Sequence, residues 1–114
     1  MIDIKNIDPK MIANNGHSSM NIHPGEMLRD ELEYRGITQK AFAQELGIPA
    51  SVLNAVLNGK RQISTEYAML IEAALGIDAS IWLKLQADYN MRAAENNPVF
   101  MDRIRRIRQV AAFL

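Results

Sequence analysis

Cysteine is absent from the chain, and histidine is confined to His17 and His23. The first absence excludes disulfide staples and cysteine zinc sites. The second argues against any structural metal, since two imidazoles in an irregular stretch have no third ligand nearby. Net charge is missing too, with 13 Lys and Arg against 13 Asp and Glu. No apolar run approaches the roughly 20 residues needed to span a bilayer, and MIDIKNIDPK lacks the basic-then-apolar order of a signal peptide. No membrane association is expected, and the cytoplasm is the expected location. No hydrolase, phosphate-loop or nucleophile motif is present, so neither an enzymatic activity nor a cofactor is expected. Asp30 and Glu33 read as an exposed acidic helix face rather than a catalytic pair. What remains is a chain of 114 residues, 48% apolar, which suits one folded domain with short appendages.

The organising stretch is Thr38 to Arg61, TQKAFAQELGIPASVLNAVLNGKR. Ala43 and Leu46 are apolar, Gly47 breaks the pattern, Ile48 and Pro49 turn, and Leu53, Val56 and Leu57 resume an i, i+3, i+4 face. This is the pattern of a helix-turn-helix: two short helices across one tight bend. The second helix keeps an outer face on which Ser51, Asn54, Ala55 and Asn58 recur at i, i+3, i+4 and i+7, small and polar as a DNA groove requires. Thr38 is suited to cap the first of the two helices, and Gln39 then stands in its first turn, where side chain and backbone N–H groups meet a phosphate. Charge is divided along the chain. Residues 24 to 36 carry Glu26, Asp30, Glu31 and Glu33 against Arg29 and Arg35, whereas residues 38 to 62 carry Lys40, Lys60 and Arg61 against Glu45 alone. The basic side coincides with the motif, so local positive potential is available to a phosphate backbone in a molecule of zero net charge. Lys60 and Arg61 suit phosphate contact, the alternative being a simple solvated loop.

The rest of the chain supports an all-α architecture of five helices plus a tail helix, without strands. Residues 1–22 mix Asn, Ser, Gly, His and Pro and read as an irregular arm, with a short helical turn over Pro9 to Ala13. Residues 23–95 form the helix-turn-helix domain. Pro24 opens its first helix, His23 serves as entry packing, and Met27, Leu28, Leu32 and Tyr34 give the buried stripe before Gly36. Ser64 caps a fourth helix with Ala68, Ile71, Ala74 and Leu75 inward. A fifth helix, from about Ser80, buries Ile81, Trp82, Leu85 and Tyr89 and fades near Glu95. Residues 96–114 are a separate amphipathic helix. Phe100, Ile104, Ile107, Ala111 and Leu114 form a heptad-like seam, while Arg103, Arg105, Arg106 and Arg108 project elsewhere. Two heptads are too few for an independent coiled coil, so the seam packs on this domain, on a second copy or on another protein.

With those residues in view, the chain resembles the HigA-type antitoxins, a branch of the Cro-like (XRE) helix-turn-helix superfamily. The resemblance runs from His23 to Met91 and is carried by HPGEMLRDEL, TQKAFAQELGI, LNGKRQIS, the Ala68 to Gly76 helix and IWLKLQADYNM. It implies a homodimer that binds a palindromic operator in its own promoter and neutralises a HigB-type toxin, a ribosome-dependent RNase that cleaves mRNA. Under the resemblance, Gln39 occupies the position that touches phosphate, and Ala50, Ser51, Asn54 and Ala55 occupy positions that face base edges. Together with Thr38, Lys40, Asn58, Lys60 and Arg61 they form the expected DNA-binding set. Two positions depart from the family pattern: Pro49 replaces the small polar cap of the recognition helix, and Ala55 replaces a polar or basic residue. Base readout therefore rests on Ser51 and Asn54, with Ala50 or Val52 meeting a thymine methyl and the remainder read through DNA shape. The competing expectation is a stand-alone helix-turn-helix regulator without a toxin partner.

Overall fold

The computed structural model describes residues 21–113, so the arm through residue 20, with its Pro9 to Ala13 turn and His17, and Leu114 of the tail seam lie outside the described residues. Within them the chain is helical throughout: α1 Pro24–Arg35, α2 Gln39–Leu46, α3 Ala50–Leu57, α4 Thr65–Leu75, α5 Ala79–Glu95 and α6 Pro98–Ala111. Each boundary has a local cause. His23, Thr38, Ser64, Asp78 and Asn97 each accept a backbone N–H through the side chain at a helix start, satisfying donors that the helix cannot bond internally.

Helices α1 to α5 enclose one core of Leu28, Leu32, Phe42, Ala43, Leu46, Leu53, Val56, Leu57, Ile63, Ala68, Ile71, Leu75 and Trp82. Phe42 belongs to it although the stripe read from the sequence held only Ala43 and Leu46. The reason is that α2 packs on both α3 and α4, so it buries a wider arc than a helix covered on one side. Two expected core residues are outside. Tyr34 is 73% exposed, because two residues past Leu32 a helix has turned by roughly 200°, toward solvent. Ile81 is 49% exposed, since the fully buried row of α5 is Trp82 and Gln86, and Ile81 stands one residue off it. Leu85 and Tyr89 are half-buried.

One close approach sets the angle of α1. A Cβ placed on Gly25 would stand 1.7 Å from the carbonyl oxygen of Val56. Only a hydrogen fits there, so α1 and α3 meet backbone to backbone. His23 seals the same corner. It is 4% exposed, its Nδ1 accepts from the Gly25 N–H at 2.9 Å, and its ring meets Tyr89 edge-on at 4.8 Å between centroids. Burial lowers its pKa below 6.5, against a smaller upward pull from Glu26.

Candidate nucleic-acid interface

The bend between α2 and α3 is closed by backbone geometry. Gly47 adopts φ 72°, a left-handed conformation that costs other residues about 1 kcal/mol or more. The Ile48 N–H reaches back to the Ala43 carbonyl at 3.1 Å and the Gly47 N–H to Gln44 at 3.2 Å, the paired bonds of a Schellman stop. Pro49 precedes α3 with extended dihedrals and supplies no side-chain cap. The departure at this position therefore leaves the start of the recognition helix without an intramolecular side-chain acceptor.

The eight residues of α3 divide cleanly. Leu53, Val56 and Leu57 are buried, while Ala50, Ser51 and Asn54 are exposed and Val52 and Ala55 half-buried. Thr38, Gln39 and Lys40 are exposed on the adjoining end of α2, and Thr38 Oγ1 caps it by accepting from the Ala41 N–H at 3.1 Å. Asn58 lies just past α3 as its C-cap and is also exposed. Three of these polar side chains are linked. Asn58 Nδ2 donates to Asn54 Oδ1 at 3.0 Å, and Asn54 Nδ2 donates to Gln39 Oε1 at 3.3 Å. A fourth residue, absent from the expected set, joins the row: Arg29 of α1 donates through Nη1 to Asn58 Oδ1 at 3.2 Å. The sequence places Arg29 only among the charges of the first helix. That it reaches the end of α3 follows from the backbone contact at Gly25, which brings those two helices together.

Lys60 and Arg61 are both exposed, in a loop held from two sides. The Lys60 N–H closes α3 by bonding the Ala55 carbonyl at 2.9 Å. Farther along, the Ile63 N–H donates to Oε1 of Gln86 at 2.9 Å. Gln86 itself is only 4% exposed, and its Nε2 continues to Asn90 Oδ1 at 3.0 Å, whose Nδ2 bonds Gln62 Oε1 at 3.0 Å. So α5 moors the loop through a buried amide. The glutamine of the IWLKLQADY stretch has a structural task that hydrophobic periodicity does not reveal. Next to this mooring, Lys60, Arg61, Gln62, Ser64, Glu66 and Tyr67 line an open depression. No group of three or more His, Cys, Asp or Glu among the described residues is arranged to hold a metal, and no described helix is long and apolar enough to cross a membrane.

An exposed polar row on a short second helix, beside paired cations, is the geometry of a helix-turn-helix reader. The Helix-turn-helix family pattern matches residues 28–82. Virulence-associated protein I of Dichelobacter nodosus is 35% identical over 77 residues, covering 67% of this chain and 71% of that one. Several solved structures are similar. A HigA-family addiction module antidote protein from Coxiella burnetii has a TM-score of 0.62 at 35% identity, over 65% of this chain and 82% of that chain. The antitoxin HigA of Pseudomonas aeruginosa, solved with the higBA promoter, gives 0.63 at 34% identity over 66% and 83%. The chain belongs to the HigA-type branch of the Cro-like helix-turn-helix family. HigA-type proteins are DNA-binding regulators rather than enzymes, and the present chain has their DNA-binding fold.

Helix α6 stands apart from this core. It packs against α5, and of the expected seam Ile104 alone is half-buried, whereas Phe100, Ile107 and Ala111 are exposed. Val110 and Phe113, 64% and 91% exposed, widen the uncovered apolar strip, with Arg103 and Arg106 beside it.

Proposed function

We propose that this chain is the antitoxin and autorepressor of a toxin–antitoxin operon. In this reading residues 23–95 bind DNA as a homodimer on a palindromic operator in the chain's own promoter. Ser51 and Asn54 face base edges with Ala50 and Ala55 beside them, and Thr38, Gln39, Lys40, Asn58, Lys60 and Arg61 follow the sugar-phosphate backbone. The supporting observation is the exposed row in which Asn58 bonds Asn54 and Asn54 bonds Gln39, with Ser51 exposed three residues before Asn54 and Lys60 and Arg61 exposed just after Asn58. Occlusion of the promoter represses transcription, a task for the cytoplasm. The second half of the reading is capture of a HigB-type, mRNA-cleaving toxin. Residues 96–114 serve it as a protein interface, self or toxin, and the support is the uncovered apolar strip of Phe100, Ile107 and Ala111.

Footprinting of the DNA upstream of the gene tests the first half. The expected result is salt-sensitive protection of an inverted repeat whose half-sites lie about one helical turn, or a multiple of it, apart. Absence of protection at low salt refutes it. Co-purification with the product of the neighbouring gene tests the second. A neighbour that is not toxin-like, or that does not bind, leaves a stand-alone transcriptional regulator.

A further inference from the structure

The row that runs from Arg29 through Asn58 and Asn54 to Gln39 adds little to folding stability, because Gln39, Asn54 and Asn58 are all exposed and each bond between exposed groups replaces bonds to water. Its interest lies in its direction. A side-chain amide has a donor end and an acceptor end, and half a turn about its last bond exchanges them. A guanidinium has five N–H donors and no acceptor. Whatever stands opposite Arg29 must therefore present oxygen.

We propose that Arg29 is a positioning residue for DNA recognition, fixing the orientation in which the amides of Asn58, Asn54 and Gln39 meet the operator. This rests on the DNA-binding reading above. Because Arg29 donates to Asn58 Oδ1, the Nδ2 of Asn58 is turned toward Asn54. Asn54 repeats the pattern, accepting at Oδ1 and donating from Nδ2. At the far end Gln39 Oε1 is the acceptor, which leaves Gln39 Nε2 as the donor end of the row. A phosphate oxygen, which only accepts, matches that end. A cation on α1 thus selects the group that α2 offers to the backbone, acting through the recognition helix. Holding Asn54 in one orientation before binding lowers the ordering cost of the correct base contact. It also leaves polar atoms unpaired against a wrong base once water is excluded.

The test compares discrimination, not affinity alone. Wild-type protein selects its site from randomised DNA, and Asn54→Ala identifies the base pair that Asn54 reads. Binding to the selected site and to variants at that pair is then titrated by fluorescence anisotropy at several salt concentrations, with circular dichroism as a check on folding. Wild type is expected to discriminate by roughly tenfold or more. Arg29→Ala is expected to bring the ratio to within about threefold, and Arg29→Lys, still a pure donor, to keep it. Asn58→Asp keeps a partner for Arg29 but cannot donate to Asn54, so it too should lose the ratio. A simple phosphate contact would behave differently: Arg29→Ala would weaken every sequence equally and reduce the salt slope by about one. That outcome, or equal loss of discrimination in Arg29→Lys and Arg29→Ala, overturns the proposal. If wild type selects no sequence at all, it is the DNA-binding reading that fails.

Discussion

Replacing Gly25 with alanine sets two physical effects against each other and asks which is larger. Helix propensity favours alanine over glycine by about 1 kcal/mol in a helix interior and by at most that at Gly25, the second residue of α1, so the sequence of α1 viewed alone predicts stabilisation. Packing predicts the reverse. The new Cβ would lie 1.7 Å from the Val56 oxygen and 2.7 Å from its carbonyl carbon, where real Cβ atoms stay beyond 3.0 Å. Both colliding atoms are backbone, so no rotamer change relieves the clash. Helices α1 and α3 must part by more than 1 Å, and the side chains around that contact, Leu28, Leu53 and Leu57, are at most 1% exposed. A radial gap of about 0.5–1 Å already forfeits a quarter to a half of the dispersion well, and overpacking of cores costs about 1–3 kcal/mol, occasionally more. The upper part of that range, less the propensity gain, gives a net destabilisation of about 2 kcal/mol. For a domain of this size the midpoint of thermal unfolding should fall by roughly 8–16 °C. Calorimetry on purified Gly25→Ala is the assay. A midpoint equal to or above that of wild type would show that α1 slides freely on α3 and would refute the reasoning.

Other perturbations separate reading from holding. Asn54→Ala should weaken operator binding by roughly 1–3 kcal/mol in titrations while leaving the denaturation midpoint within about 0.5 kcal/mol of wild type. Gln86→Leu leaves the Ile63 N–H buried without its acceptor. It should cost about 1–3 kcal/mol in denaturant melts and accelerate hydrogen exchange at that amide, which an unchanged rate would contradict. Arg61→Ala, if Arg61 contacts a phosphate, should weaken all DNA sequences alike and lower the salt slope by about one. His23 predicts a pH dependence. Its folded pKa lies below its ordinary value of 6.5 because it is buried, so between the two values the unfolded chain binds more protons, and stability rises with pH. Stability is therefore complete above about pH 6.5 and declines as the pH falls toward the folded pKa. The protonated ring also loses its acceptor for the Gly25 N–H. Melts between pH 8 and pH 5 should show this slope in wild type and not in His23→Asn, which can cap but does not titrate.

Much of this is legible in the sequence itself, and the reasons are local. Apolar spacing at 3.6 residues, a glycine or proline at each break and a capping side chain before most helices are properties of neighbours in sequence. They fixed the order of the helices and the exposed face of α3. What escaped is long-range. Phe42 was left out of the inward stripe because its burial needs two helices that arrive from elsewhere. Gln86 carries no local sign of its burial, since its partner Ile63 is 23 residues away. Arg29 looked like one charge among several until α1 and α3 were seen in contact. Tyr34 erred the other way, an aromatic residue counted inward although its angle around the helix points outward.

Gly25, Arg29 and Gln86 act on the recognition helix from other parts of the chain. An eight-residue helix is too short to be stable alone in water, and one with a small, partly apolar outer face has few contacts through which DNA itself could correct its placement. Its orientation must come from the protein. At its back Gly25 brings the α1 backbone against Val56, at its C-terminal end Arg29 ties down Asn58, and beyond that Gln86 secures the outgoing loop. Substitutions at Gly25 or Gln86 should therefore impair DNA binding while touching no nucleotide. They differ from Asn54→Ala in a measurable way, because added osmolyte, which strengthens effective burial, should restore affinity to the first two and not to the third.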